Sequence, residues 1–163
     1  MSLPKRPDAK MSGLKALKTR PAVWDDADDL LAWKNDATVR QFSIVSKEPI
    51  LKENHLGWLT KTLADPNVLL KIILLDGRKL GDIRFDINDH EIEVSIRLAP
   101  QYRGMGIGTR ALDQECTQME KNCDKVLTAT IVNENEASLK LFTANGFKVF
   151  ERRDGFMRLR RDR

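Results

Sequence analysis

The feature that most constrains this chain is a change of pattern after residue 91. EIEVSIRLAP (91–100) sets Ile92, Val94, Ile96 and Leu98 against Glu91, Glu93, Ser95 and Arg97, the period-two alternation of a strand with one buried and one wet face. QYRGMGIGT follows, and a helical stretch runs from about 108 to 121. Glycine at a helix start costs backbone entropy and supplies no packing. Gly104, Gly106 and Gly108, with the small Thr109, therefore point to work done by the main chain. The first turn of a helix leaves N–H groups unpaired; their partial positive charge makes an anion site, and glycine lets a phosphate approach closely.

Spacing discriminates among phosphate loops. A P-loop needs Lys and Ser or Thr after its last glycine, and no Lys follows any of these three. A dinucleotide fingerprint needs Gly or Ala at 109, where Thr109 stands, and belongs in an opening βαβ unit rather than about 100 residues into a chain.

The remaining chain reads as follows. Residues 1–13, with Pro4, Pro7 and Gly13 among charges, form a tail too poor in apolar side chains to order itself. Residues 14–163 are expected to form a single domain, the size that 163 residues and 41% hydrophobic content allow. LKALKTR (14–20) reads as a first strand. VWDDADDLLAWKND reads as a helix, with aspartates suited to its N-terminus and Trp24, Ala27, Leu30, Leu31 and Trp33 at helical spacing. A second helix is expected over 52–64, closed by Asp65 and Pro66. VLLKIILL (68–75), DGR and KLGDIRFDI (79–87) read as a hairpin. A strand over 125–132, a helix over 136–145 and strands near 147–151 and 155–161 complete the order.

The net charge of +4 does not indicate a nucleic-acid binder. Six basic residues stand against one acidic in 1–20, and six against three in 151–163, so the middle of the chain is net negative. A face that tracks a phosphate backbone belongs to the fold, not to its ends. The start MSLPKRPDAKMSG has no apolar signal core, and no run reaches the ~18 residues of a membrane span, so the expectation is a soluble cytoplasmic protein without a membrane partner. Cys116 and Cys123 lack the companions a tetrahedral metal site needs, and no metal is expected.

Gln101-x-x-Gly104-x-Gly106, continued by Ile107 and Gly108, resembles the pyrophosphate-binding loop of the GNAT superfamily of acetyl-CoA-dependent N-acetyltransferases. NENEASLKLFTANGF (133–147) is similar to the segment that follows in that family. The resemblance implies a mixed α/β fold of the α+β kind. Its central mixed, largely antiparallel sheet has about six or seven strands splayed between the fourth and fifth, with about four helices. The pantetheine arm of acetyl-CoA is implied to lie in the gap on the backbone of Ile96, Arg97 and Leu98. The amides of Arg103, Gly104, Met105, Gly106, Ile107, Gly108 and Thr109 would hold the pyrophosphate, with charge added by the Arg103 side chain. Asn135 and Ser138 would stand near the cofactor arm, though helix capping explains them equally well. Gly146 and Phe147 are expected to end a helix in a left-handed turn and to supply a core aromatic.

Direct attack by a primary amine needs a group to take its proton. Glu93, nearer the implied acetyl site than Glu91 on the same strand face, is one candidate, and His55 is the other. A tyrosine that many family members use to meet the thiolate is matched here by Phe142, which has no proton to give. For the acceptor, W-K-N-D-x-x-V-R and E-x-H-x-x-W-L resemble acetyltransferases of nucleotide-linked amino sugars in pseudaminic and related nonulosonic acid pathways, and shade into ribosomal-protein N-terminal acetyltransferases. Asn35, Arg40, Ser43 and His55 are the candidate acceptor contacts. Three readings follow: an amino-sugar-nucleotide N-acetyltransferase, an acetyltransferase of protein N-termini or another small amine, and a non-catalytic acetyl-CoA sensor. Whether the chain forms a homodimer stays open.

Overall fold

A computed structural model describes residues 17–162. The chain runs through β1 (Lys18–Pro21), a 3-10 turn (Trp24–Asp26), α1 (Ala27–Lys34), α2 (Ala37–Gln41), α3 (Lys52–Ala64), β2 (Val68–Leu75), β3 (Arg78–Ile87) and β4 (Glu91–Leu98). It continues through a second 3-10 turn (Pro100–Tyr102), α4 (Ile107–Asn122), β5 (Val126–Val132), α5 (Glu136–Ala144), β6 (Phe147–Arg152) and β7 (Phe156–Arg161). Seven strands form one sheet in the order β1-β2-β3-β4-β5-β7-β6. Every pairing is antiparallel except β4 with β5. This is the mixed, largely antiparallel sheet the sequence led us to expect, with the four longer helices α1, α3, α4 and α5 and the five-residue α2. The tail and the start of the first expected strand lie outside the described residues.

Local chemistry accounts for the differences from the expected elements. The first helix is divided, because Asp36 accepts from the backbone N–H groups of Thr38 and Val39 and so starts α2, as an N-cap does. Asp26 closes the preceding turn by accepting from the Val23 N–H, while Arg20 and Lys79 neutralise it. The β2–β3 hairpin turns on Asp76 and Gly77, with φ of 54° and 74°, the mirror-image turn that matches strand twist. Gly146, at φ 82°, ends α5, and Phe147 packs edge-on against Phe142 with ring centroids 5.0 Å apart.

The two faces of the sheet differ in chemistry. One carries Ile83, Phe85, Ile92 and Val94, all essentially buried, each worth roughly 1.5–3 kcal/mol on removal from water. Helix α4 packs here: its buried Glu115 binds Lys71 of β2 at 2.7 Å and Thr19 of β1 at 2.7 Å. On the other face, register pairs Asp82 with Arg97, Arg84 with Ser95 and Asp86 with Glu93. Helices α1 and α3 lie over β2 and β3 on this side, and Ser95 is exposed.

The β4–β5 ladder holds only Glu91 with Val126, Ile92 with Leu127 and Glu93 with Thr128. Beyond Glu93 the strands part, while β4 stays paired with β3 as far as Leu98. A strand edge left without a partner must find other hydrogen-bonding groups, and this gap positions the site.

Candidate active site

A cavity of about 650 Å³ opens where β4 leaves β5. Ile96, Arg97 and Leu98 form its strand wall; Arg103, Gly104, Gly106, Gly108 and Thr109 form the loop and the first turn of α4. Asn135, Ser138 and Leu141 come from the α5 side, and Thr38, Val39, Phe42 and Ser43 close it from α2. Ten residues expected at the cofactor are thus brought together here. Of the other two, Ile107 is buried in the core and Met105 packs partly buried against it.

The loop is built for main-chain contact. Gly104 and Gly106 have φ of 74° and 78°, a region that costs other residues about 1–2 kcal/mol. A Cβ on either would meet no atom within 4 Å, so the space in front of both is open. Gly106 caps the 16-residue α4 without any side-chain bond, and the first-turn N–H groups carry the positive end of the helix dipole. Gly108 serves packing: a Cβ there would lie 3.4 Å from side-chain carbons of Leu98 and Leu141.

Side chains around the loop are already engaged. Arg103 donates from Nε to the Leu98 carbonyl at 3.1 Å and pairs with Asp36 at 3.1 Å, tying the loop to β4 and α2. Asn135 accepts from the Ser138 N–H at 3.2 Å, so it caps α5 while lining the cavity.

Of the expected acceptor residues, Ser43 lines this cavity and the other three fall elsewhere. Asn35 clamps the Ile50 main chain, donating at 2.9 Å and accepting at 2.7 Å. Arg40 donates to the carbonyls of Asn35 and Lys47. Both shape the 42–50 loop and are absent from the cavity lining. His55 is buried, its Nε2 2.8 Å from the Ala27 carbonyl. A carbonyl only accepts, so Nε2 carries the proton. Its Nδ1 has no partner, and the ring stacks on Trp58 at 5.5 Å. Burial foremost, with Lys34 and Arg97 adding repulsion, lowers its pKa and keeps it neutral.

Glu93 stands at the last position where β4 pairs with β5 and accepts from the Thr130 hydroxyl at 2.8 Å. It lines a smaller cleft of about 250 Å³ together with Asp65, Asp86 and Glu91; Glu91 is paired with Arg158. Phe142 is buried against Phe147.

Lys34 was not singled out by sequence reasoning. It ends α1 almost buried, with Nζ 2.6 Å from the centroid of the Trp58 ring. Burial, then repulsion from Arg97 and Arg84, outweighs attraction by Asp82 and lowers its pKa to about 6. The WKND stretch drew attention to Asn35, whereas a lysine in a helix gives no sign of which strand charges it will face.

Among the described residues no His, Cys, Asp or Glu group of three is arranged for a metal ion, and no helix is long and apolar enough to cross a membrane. Residues 17–148 match the family model for an acetyltransferase (GNAT) domain. Among curated proteins, the L-amino acid N-acyltransferase MnaT of Escherichia coli K12 is 30% identical over 121 residues, which cover 71% of this chain and 70% of that protein. Two solved structures share the fold. The ribosomal-protein-alanine N-acetyltransferase of Brucella melitensis is 24% identical with a TM-score of 0.73, over 88% of this chain and 98% of that one. An aminoglycoside acetyltransferase, AAC(6')-Ib, solved with coenzyme A and kanamycin, is 14% identical with a TM-score of 0.76, over 91% and 95% of the two chains.

Proposed function

This chain belongs to the GNAT acetyltransferase family and is an acyltransferase, and from that premise we propose that the 650 Å³ cavity binds acetyl-CoA and that the enzyme acetylates a primary amine on a small molecule. The observation that carries this reading is the break in the β4–β5 ladder after Glu93 beside an uncapped, glycine-led helix. The residues present suit the molecule. The edge of β4 at Ile96–Leu98, freed of β5 and engaged only at the Leu98 carbonyl by Arg103, offers main-chain groups to the amides of a pantetheine arm, and the open space at Gly104 and Gly106 admits phosphates to the loop amides. Bound there, acetyl-CoA supplies an activated acyl group as a thioester.

The chain's own residues then have two tasks. The attacking amine must lose a proton, and we assign its removal to Glu93, directly or through one water, with the Thr130 hydroxyl orienting the carboxylate. His55, bonded to Ala27 and stacked on Trp58, holds α3 to α1 and stays neutral. Phe142 offers no acid, so solvent protonates the departing thiolate.

The WKND and ENHLGWL stretches favour a nucleotide-linked amino sugar as acceptor, whereas the E. coli relative's name favours an amino acid. Release of free thiol from acetyl-CoA, measured with a UDP-linked amino sugar, free amino acids, a peptide N-terminus and an aminoglycoside, decides among them. Turnover of the UDP-linked sugar alone is the expected outcome. Turnover of amino acids or peptides instead reassigns the acceptor, and tight acetyl-CoA binding without thiol release from any amine makes the protein a sensor.

A further inference from the structure

On the wet face of β3 and β4 the two arginines are paired and a neighbouring lysine is not. Arg97 binds Asp82 through Nε at 3.1 Å and a terminal nitrogen at 3.0 Å. Arg84 binds Asp86 in the same two-pronged way at 2.8 and 2.7 Å. Both carboxylates are therefore taken up by bidentate guanidinium contacts. Lys34, reaching in from α1, is left over: its Nζ rests on the Trp58 ring and has no carboxylate within ion-pair distance among the described residues. From α3 it faces neutral His55 and Trp58, from β3 Asp82 and Arg84, and from β4 Arg97.

A buried basic group set beside two arginines whose carboxylates are already taken has no anion within reach among the described residues to pair with once it is protonated. The cluster is reached from solvent, since Arg84 and Arg97 keep 23% and 22% of their side chains exposed and Ser95 beside Arg84 is open. It also adjoins the cavity, because Arg97 lines that wall and α1 passes through Asn35 and Asp36 into cavity-lining α2.

We infer that Lys34, on its Trp58 platform and flanked by Arg84 and Arg97, is the anchor for an anionic group, a phosphate or carboxylate, carried by the acceptor. The assignment rests on the acetyltransferase reading for the acceptor's presence on this face. Ser95 and Arg97 lie two and four residues along β4 from Glu93, roughly 7 to 13 Å at strand rise. That spacing favours an acceptor whose amine and anion are separated by a ring, as in a nucleotide-linked amino sugar, over one bearing both on a single carbon. Lys34 is mostly unprotonated at neutral pH, and an anion brought against it raises its pKa again, so binding takes up a proton.

The test is calorimetry on the full chain saturated with coenzyme A, which blocks the donor's own phosphate sites. The probe pairs are UDP with uridine and L-leucine with L-leucinamide, each titrated at pH 7.5 in two buffers of different ionisation enthalpy. The expected result is that the phosphate- or carboxylate-bearing member of at least one pair binds tenfold or more tightly than the member lacking that group, with uptake of close to one proton; the pair that shows it identifies the source. Lys34→Met should remove both the preference and the uptake. Lys34→Arg should restore the preference without the uptake, because a guanidinium stays charged. Equal binding within both pairs, or a preference and proton uptake that persist in Lys34→Met, overturns the assignment. Thiol release from acetyl-CoA with the amine panel reports separately on the proposed function: an enzyme that turns over amines without any anion preference keeps its function and loses this anchor.

Discussion

Where β4 runs into α4, the cavity is lined by main-chain amides and glycines whose side-chain space is empty. Over β3 and α1, long side chains are locked in bidentate pairs, and Lys34 has no ion pair among the described residues. The first region can receive one kind of molecule, because amides at a helix start recognise phosphate whatever the surrounding side chains are. The second can change its ligand with one substitution. A family that keeps one donor and varies its acceptor needs this division.

The sharpest way to break the contrast is to put a side chain where the donor region has none. Gly106→Glu sets a carboxylate in the open space before the loop and asks a non-glycine residue to hold φ 78°. Acetyl-CoA affinity should fall by at least a thousandfold, through repulsion and lost approach. The strain of about 1–2 kcal/mol leaves the fold intact in a thermal melt. Unchanged affinity by calorimetry would remove the loop from the donor site.

Glu93→Gln keeps the shape and the Thr130 contact but cannot take a proton. A loss in kcat of about 10²- to 10⁴-fold, the usual worth of a positioned base, with donor KM unchanged, is the expected outcome of steady-state kinetics. A kcat within threefold of the parent would pass the role to solvent.

The contrast also explains what could be read beforehand. The elements around the 650 Å³ cavity were legible because their signals are local: alternation in β4, three glycines, a helix, and Asn135 placed to cap α5. The strand and helix order was legible for the same reason, and α3 begins and ends where Pro66 and the apolar spacing placed it. The acceptor side was not. Asn35 and Arg40 are polar because they clamp the 42–50 loop, and His55 is polar because it must hold a carbonyl 28 residues away. Lys34 acquires its character from Asp82, Arg84 and Arg97, residues some fifty positions on in the chain, whose register with α1 no short-range pattern encodes. The division of the first helix escaped for a related reason, since Asp36 could equally have faced solvent.

Stability offers a measure of how far the acceptor side is left uncompensated. The Lys34 pKa lies at about 6 in the fold against 10.5 unfolded, so between those values the unfolded chain binds more protons and stability rises with pH. Lys34→Met removes this burden, so the variant should melt above the parent. Its gain should be largest near pH 6 and shrink as pH approaches 10.5. The rise in Tm at pH 7 should be roughly twice that at pH 9. A gain that does not vary with pH would mean Lys34 is charged in the fold.

The smallest effect is expected at the one residue that joins the two regions. Asp36 follows α1 of the acceptor side, caps the cavity-lining α2 and pairs with Arg103 of the glycine loop at 3.1 Å. Asp36→Ala should cost about 1 kcal/mol through the lost cap. It should also raise the acetyl-CoA KM a few-fold, because Arg103, still held by the Leu98 carbonyl, loses its second tether. A double-mutant cycle with Arg103→Ala separates these contributions: the cap term appears in Tm whether or not Arg103 is present, whereas the KM term should vanish once Arg103 is gone. If instead the two KM effects simply add, the regions do not communicate through this pair, and acceptor and donor sites are independent to within the few tenths of a kcal/mol that such cycles resolve.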